Sequence, residues 1–295
     1  MAVGLLPNTI EGEGKDRVNL TLPGEQLQLV QQVWQTGVPT VVVLVNGGPV
    51  DIQWIKDNVP AVLEAFYPGQ MGATAIVNTL FGLNAPGMRG SRGIWYNDTH
   101  DLTSNHSIFP VNLAGRLPYT VYPQEYVDQM WIGEMVMNYP PGHTFRYYTG
   151  QPLYEFGYGL SYTNFSYVWF SYPPAEVVVD PETRELWSKD GKQRLESQQL
   201  EFRVNVTNTG TRASDEVVLA FYVPPQGQVD VPLKELFGFE RIHLLPGQSQ
   251  EVVFFQPAEA LSFANKAGKM QPVWGEERIL IGTAPARTIL IKPRK

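Results

Sequence analysis

Hydrophobic and polar positions change period along the chain, and the changes divide it. In LPGEQLQLVQQVWQTG the apolar residues Leu27, Val30, Val33 and Trp34 recur at helical spacing. Pro23 suits a first turn and Gly37 an end, so a helix is predicted between them. The β-branched run over residues 38–45 lacks polar alternation and predicts a strand buried on both faces, as in a parallel sheet. Asn46-Gly47-Gly48-Pro49 breaks it. DIQWIKDN predicts a short helix and AVLEAF (61–66) a second strand. MGATAIVNTLFG, opened by Pro68-Gly69-Gln70 and closed by Gly82, predicts another helix. Residues 2–6 are a short apolar piece, the end of a further strand. Strand and helix in alternation mean a doubly wound α/β layer. Ligands of such sheets sit outside the carboxyl ends of the strands. That makes the 46–49 turn and the loop around 67–70 walls of a candidate site; glycines that only form turns are the plain alternative.

Residues 88–113 show no sustained period of 2 or 3.6, and so long a structureless stretch in a compact domain calls for a special explanation. The following stretch, 114–167, is rich in Tyr, Pro and Gly and reads as an extended connection wrapping a surface. From about Glu201 the period becomes 2. EFRVNVTNTG, DEVVLAFYVPP, LKELFGFERIHLLPG, QEVVFFQP, RILIGTA and RTILIKPRK are short strands with turns between them. They predict a β-sandwich of immunoglobulin or fibronectin type III kind.

Composition narrows the classes. With 295 residues, 43% of them hydrophobic and 17% charged, the chain can fill two cores. Its 24 Pro and 27 Gly suit short strands and turns, not a helical bundle. A formal net charge of -7 leaves no basic stripe, so no nucleic-acid partner is expected. No run is long enough for a membrane span. Without cysteine there is neither a disulfide nor a thiolate metal site. MAVGLLPN lacks the charged region and apolar run of a signal peptide. N-x-S/T sequons at Asn19, Asn97, Asn105, Asn164 and Asn205 nevertheless favour an extracellular, secreted glycoprotein whose true N-terminus lies upstream.

The chemistry rests on carboxylates. His100, His106, His143 and His243 are scattered, without metal-ligand spacing, and nothing requires a cofactor. No nucleophile elbow or glycine-rich phosphate loop follows a strand as those mechanisms require. Glu11 and Glu13 follow the 2–6 strand end, where a loop would aim a carboxylate at the 46–49 turn. A solvated acidic loop is the plain alternative. Glycosidic cleavage needs two carboxyl groups, one to protonate the leaving oxygen and one to attack the anomeric carbon or activate water. The residues offer loop candidates for one and no convincing second.

The segments TIEGEGKDRVNLTLPG, VVVLVNGGPVDI, VLEAFYPGQMGATAI, AGRLPYTVYP, FRYYTG, LYEFGYGLSYTNFSY, DEVVLAFYVPP and LKELFGFERI closely resemble, in order, the C-terminal half of glycoside hydrolase family 3. The T-I-E-x-E-x-x-D-R and N-G-G-P-V-D-I forms look most like its β-xylosidase branch of plant, fungal and oomycete kind. The resemblance covers nearly the whole chain except residues 88–113. It implies a retaining exo-glycosidase with a (β/α)8 barrel, an α/β sandwich domain and a fibronectin type III-like domain. The barrel supplies an aspartate nucleophile from a Ser-Asp-Trp type motif, and the sandwich domain supplies the glutamate acid/base. Glu11 is then the first acid/base candidate and Glu13 the second. Arg17 would pair with acids near the interface, and Asp16 is structural. Tyr147 and Tyr148 are candidates for sugar contact, with packing as the alternative.

Departures from the family pattern shape the remaining expectations. The barrel is absent, and the one Ser-Asp, Ser214-Asp215, reads as a turn of the β-sandwich. The expected fold is α/β plus all-β: a truncated α/β sandwich domain over 1–152, then a fibronectin type III-like domain with its leading connection over 153–295. Residues 88–113 intervene between Pro86-Gly87 and Gly115-Arg116-Leu117-Pro118 with the texture of translated intron sequence; a lineage-specific loop is the alternative. The expected function is release of terminal β-D-xylosyl residues from xylo-oligosaccharides, with the fragment alone inactive. β-Glucosidase, α-L-arabinofuranosidase and a non-catalytic carbohydrate-binding fragment are the alternatives.

Overall fold

The computed structural model describes residues 1–6, 9–15, 17–85, 115–171, 174–225, 231–265 and 267–294. The expectations for Asp16, His100, His106, Asn97, Asn105 and the 88–113 insertion lie outside the described residues. The chain divides into two compact units, Met1–Ser161 and Tyr162–Lys295. The sequence placed the division between 152 and 153. Residues 153–161 group with the first unit because their backbone returns to residues 117–121. Leu153 N–H donates to Val121 O at 2.8 Å, Gly157 N–H to Leu117 O at 2.8 Å, and Leu117 N–H to Tyr158 O at 2.7 Å.

In the first unit β1 (Ala2–Gly4), β2 (Val41–Val45) and β3 (Ala61–Glu64) form a parallel sheet in the order β1-β2-β3. Helix α1 (Gln26–Gln35) carries the chain from β1 to β2, and α2 (Gln53–Asn58) from β2 to β3. These are the crossovers that parallel pairs require. The three middle residues of β2 are buried, which is why this central strand carries no polar alternation. The core gathers Val3, Val42 and Leu44 from the sheet, Val30 from α1 and Ile55 from α2, with Val121 and Leu153 from later in the chain. β2 starts at Val41, later than the sequence suggested, after Gly37 at φ 73° and Pro39, which has no N–H for a ladder. β3 stops at Glu64, two residues early, because Phe66 takes φ 54°, a left-handed conformation no strand contains.

Helix α3 (Gly72–Leu80) follows β3. The 114–167 stretch, expected to be extended, contains two short helices, α4 (Glu125–Gln129) and α5 (Thr144–Tyr147). Its aromatics pack on one another. Tyr122 stacks on Tyr126 at 4.0 Å between centroids, and Tyr148 stands edge-on to them at 4.9 and 5.4 Å.

The second unit is a β-sandwich. One sheet orders β10 (Ser249–Pro257), β7 (Gln199–Asn208) and β4 (Phe165–Ser171). The other orders β6 (Leu186–Trp187), β5 (Glu176–Val179), β14 (Arg287–Pro293), β13 (Gly275–Ile281), β8 (Ser214–Val223) and β9 (Glu235–Leu244). A small hairpin pairs β11 (Ser262–Ala264) with β12 (Met270–Pro272). Alternate residues Leu200, Phe202, Val204 and Val206 of β7 face Val218, Ala220 and Tyr222 of β8 in one core, the period of 2 that a sheet pleat imposes. Three strands, β4 to β6, precede Glu201, where the sequence placed the start of the all-β region; the alternation in FSYVWFS sits inside an aromatic-rich stretch that masks it.

Ser214 and Asp215, expected to form a turn, open β8 instead. Asp215 is buried there. It accepts from Arg241 Nε at 2.7 Å and hydrogen-bonds His243 Nδ1 at 2.6 Å on the neighbouring strand. Among the described residues no helix is long and apolar enough to cross a membrane.

Candidate active site

The carboxyl ends of β1, β2 and β3 open on one place. The chain leaves β1, turns so that Ile10 N–H donates to Leu6 O at 3.0 Å, and delivers Glu11 to the turn that follows β2. There Glu11 Oε2 accepts the Gly47 N–H at 2.7 Å and the Tyr67 hydroxyl at 2.5 Å. Oε1 accepts the Gly48 N–H at 3.0 Å, and Arg17 Nη2 lies 3.5 Å away. Arg17 is itself fixed by donating to Pro49 O at 2.8 Å. Four donors from three segments therefore converge on one carboxylate, an acceptor-only group when ionised. Removal from water, with the hydrogen bond to Glu11 and its charge, pushes the Tyr67 hydroxyl up to about 12, so it remains a donor.

Close approach crowds both glycines, Gly47 the more tightly. A Cβ on Gly47 would stand 2.8 Å from Tyr67 Cε2 and 2.9 Å from Glu11 Oε2. On Gly48 it would stand 3.1 Å from Glu11 Oε1 and 3.2 Å from Arg17 Nη2. The bare backbone is what lets two adjacent N–H groups meet the carboxylate.

Glu13, the second candidate, is exposed in the turn closed by Lys15 N–H on Gly12 O at 3.0 Å. The structure thus brings Glu11, Arg17, the 46–49 turn and Tyr67 together and leaves Glu13 outside. Tyr148 sits in the Tyr122–Tyr126 stack, and His143 Nδ1 meets the Tyr126 hydroxyl at 2.9 Å. Among the described residues no group of three or more His, Asp or Glu side chains could hold a metal ion.

Sequence reasoning missed Glu64, the last residue of β3. Its Oε1 accepts the Phe66 N–H at 3.1 Å; its Oε2 accepts from Asn46 Nδ2 at 3.3 Å and from the Tyr119 hydroxyl at 3.2 Å. Burial pushes its carboxyl up to about 7, against those three hydrogen bonds and with help from the Glu11 charge. Burial, followed by the charge and hydrogen bond of Glu64, likewise raises the Tyr119 hydroxyl above its usual range. The available signal was a glutamate at the carboxyl end of the otherwise apolar AVLEAF run, where a charge is costly unless it has partners or a function.

Comparison with known proteins follows the same division. The glycosyl hydrolase family 3 C-terminal domain matches residues 1–162, and a fibronectin type III-like domain matches residues 216–284. The chain is 32% identical over 297 residues to probable beta-D-xylosidase 6 of Arabidopsis thaliana, covering 92% of this chain and 34% of that protein. It is 35% identical over 258 residues to the probable exo-1,4-beta-xylosidase xlnD of Aspergillus terreus, covering 85% of this chain and 29% of that protein. The chain therefore spans about a third of the length of the curated relatives it matches. A solved GH3 exo-beta-xylosidase, XlnD, in complex with a xylobiose aziridine activity-based probe superposes with a TM-score of 0.78 at 30% identity, over 99% of this chain and 35% of that one. A beta-glucosidase from Kluyveromyces marxianus superposes at 0.73 and 25% identity, over 99% of this chain and 31% of that one.

Proposed function

Because the chain belongs to glycosyl hydrolase family 3, we propose that it carries the acid/base half of a retaining exo-glycosidase, with Glu11 as the acid/base residue and xylo-oligosaccharides as the substrate. The observation that carries this reading is the convergence of the Gly47 and Gly48 N–H groups, Tyr67 and Arg17 on Glu11 at the carboxyl ends of a parallel sheet. Fixed donors on three segments hold the Glu11 side chain in one orientation, which proton transfer to a particular oxygen demands; in the acid step its proton takes the place of one accepted hydrogen bond.

The reaction needs a second carboxylate as nucleophile, and the whole protein's activity rests on one contributed from outside these residues. As that carboxylate bonds to the anomeric carbon, the C–O bond to the leaving sugar breaks and Glu11 gives its proton to the departing oxygen. In the second half Glu11 takes a proton from water, and the water oxygen displaces the enzyme carboxylate. The xylosyl preference is supported by the plant and fungal relatives named as β-xylosidases and by the xylobiose probe bound to the similar solved enzyme. The β-glucosidase fold match is the observation that favours a second reading, the same chemistry on a glucoside. Export through the secretory route is part of the same proposal, supported by the exposed sequon residues Asn19 and Asn164.

The test is Glu11→Gln in the full-length enzyme. Turnover of xylobiose should fall by roughly 10²–10⁴-fold, while an aryl xyloside with an activated leaving group, which needs little protonation, retains much of its first-step rate. Glu13→Gln should change neither. Intact xylobiose hydrolysis in Glu11→Gln would sink the assignment.

A further inference from the structure

Glu64 is the strongest unassigned group in the molecule, and it deepens the reading of Glu11 as acid/base, on which it rests. Two chains of contacts leave its carboxyl, and both end on Glu11. The first runs from Oε2 to Asn46, whose Nδ2 is shared between Glu64 and Gly48 O at 2.9 Å. Asn46 is fully buried and immediately precedes the two glycines whose N–H groups hold Glu11. The second runs from Oε1 to the Phe66 N–H, one residue before Tyr67, whose hydroxyl holds Glu11 Oε2.

Phe66 is at φ 54°, a conformation that costs an aromatic residue free energy unless its surroundings enforce it. The enforcement is local. Glu64 captures the Phe66 N–H, and the Phe66 ring stands edge-on to Tyr119 at 5.7 Å, while the Tyr119 hydroxyl donates to the other oxygen of Glu64. One side chain thus fixes the peptide on each side of the Glu11 carboxylate.

We propose that Glu64 is the positioning residue of this site: it sets the geometry of the donors that hold Glu11, and a change in its own protonation is transmitted to Glu11 along both arms. Among the described residues, the charged and titratable groups that contact the pair include Arg17 from the loop after β1, Tyr67 after β3 and Tyr119 from the later segment. Neither tyrosine ionises in the working range, since burial raises both hydroxyls. Of these contacting groups, Glu64 is the one through which a neutral-range pH change reaches the glycine N–H pair.

The experiment uses the 295-residue chain, labelled with 13C at the glutamate side-chain carboxyls and 15N at glycine, and titrated by NMR. As Glu64 titrates, the Glu11 carboxyl and the Gly47 and Gly48 amides should shift in the same step. Glu64→Gln, which keeps the volume and one of the two acceptor oxygens but cannot ionise, should abolish that step. Glu64→Leu removes both arms and should speed hydrogen exchange at Gly47 and Gly48 by roughly tenfold, the effect of one lost hydrogen bond, with Val42 and Val43 unaffected. If Glu64 titrates with no response at Glu11 and the glycines, or if the step survives in Glu64→Gln, the proposal is overturned. The titration of Glu64→Gln decides even if Glu64→Leu does not fold. None of these readouts needs turnover, so a failed acid/base assignment shows in the Glu11→Gln kinetics and a failed positioning role shows here.

Discussion

Glu277 offers a quantitative test of how the second unit is held together. It lies on β13 at 2% exposure, with Gln256 Nε2 donating to its Oε1 at 2.8 Å, while Gln256 Oε1 has no partner among the described residues. Burial pushes the carboxyl from its usual 4.5 up to about 7, and the single bond from Gln256 works the other way. Between those two values the folded chain keeps a proton that the unfolded chain releases. Stability therefore falls as pH rises, by about 1.4 kcal/mol per pH unit. Over the interval from 4.5 to 7 the loss is about 3 kcal/mol, absent below the interval and complete above it. Glu277→Gln removes the titration and keeps an acceptor for Gln256. Its cost at pH 4.5 should be under about 1 kcal/mol. At pH 8.5 it should be more stable than the wild type by about 3 kcal/mol, roughly 10 °C in the melting temperature of a unit this size. Calorimetry at a series of pH values reads the difference directly, and the transition that moves should be that of the second unit. Parallel stability curves for the two proteins between pH 4.5 and 8.5 would show that Glu277 is ionised in the fold and that the reasoning is wrong.

Two site substitutions give further checks. Gly47→Ala places a Cβ 2.8–2.9 Å from Tyr67 and Glu11, so it should cost about 1–3 kcal/mol in stability and displace the carboxylate, cutting full-length activity by at least about tenfold; unchanged xylobiose kinetics would mean that the Glu11 contacts are not those of the working enzyme. Tyr67→Phe removes a hydrogen bond to a charged group, worth about 1.5–3 kcal/mol, and should lower kcat/KM by roughly tenfold or more without changing the fold by circular dichroism; an unaltered kcat/KM would remove Tyr67 from the site.

Much of the fold was legible because its elements are governed by local period. The uninterrupted apolar run of β2, the alternation of β7 and β10, and the largely apolar run of β8 follow from how many faces of each strand are buried. Boundaries were less legible. β3 ends early because Phe66 is held left-handed by contacts with Glu64 and Tyr119, a tertiary effect that no window over AVLEAF contains. Strand β4 escaped because its alternation is embedded in an aromatic-rich stretch, and β5 and β6 because they are short and do not alternate; Ser214-Asp215 opens a strand because Arg241 and His243, distant in sequence, hydrogen-bond Asp215 across the ladder.

The sequence by itself determined the two-part architecture, the family resemblance, and the pair Glu11 and Glu13 as candidates, since spacing and residue type carry that much. Only the tertiary structure gives them different surroundings, convergent donors around Glu11 and an exposed turn for Glu13. A carboxylate is distinguished by the donors around it, and those donors come from residues 17, 47, 48 and 67, which approach one another only when three parallel strands align their carboxyl ends. The same alignment gave Glu64 its partners, because burial at a strand end is a property of the assembled sheet and not of the glutamate's neighbours in sequence.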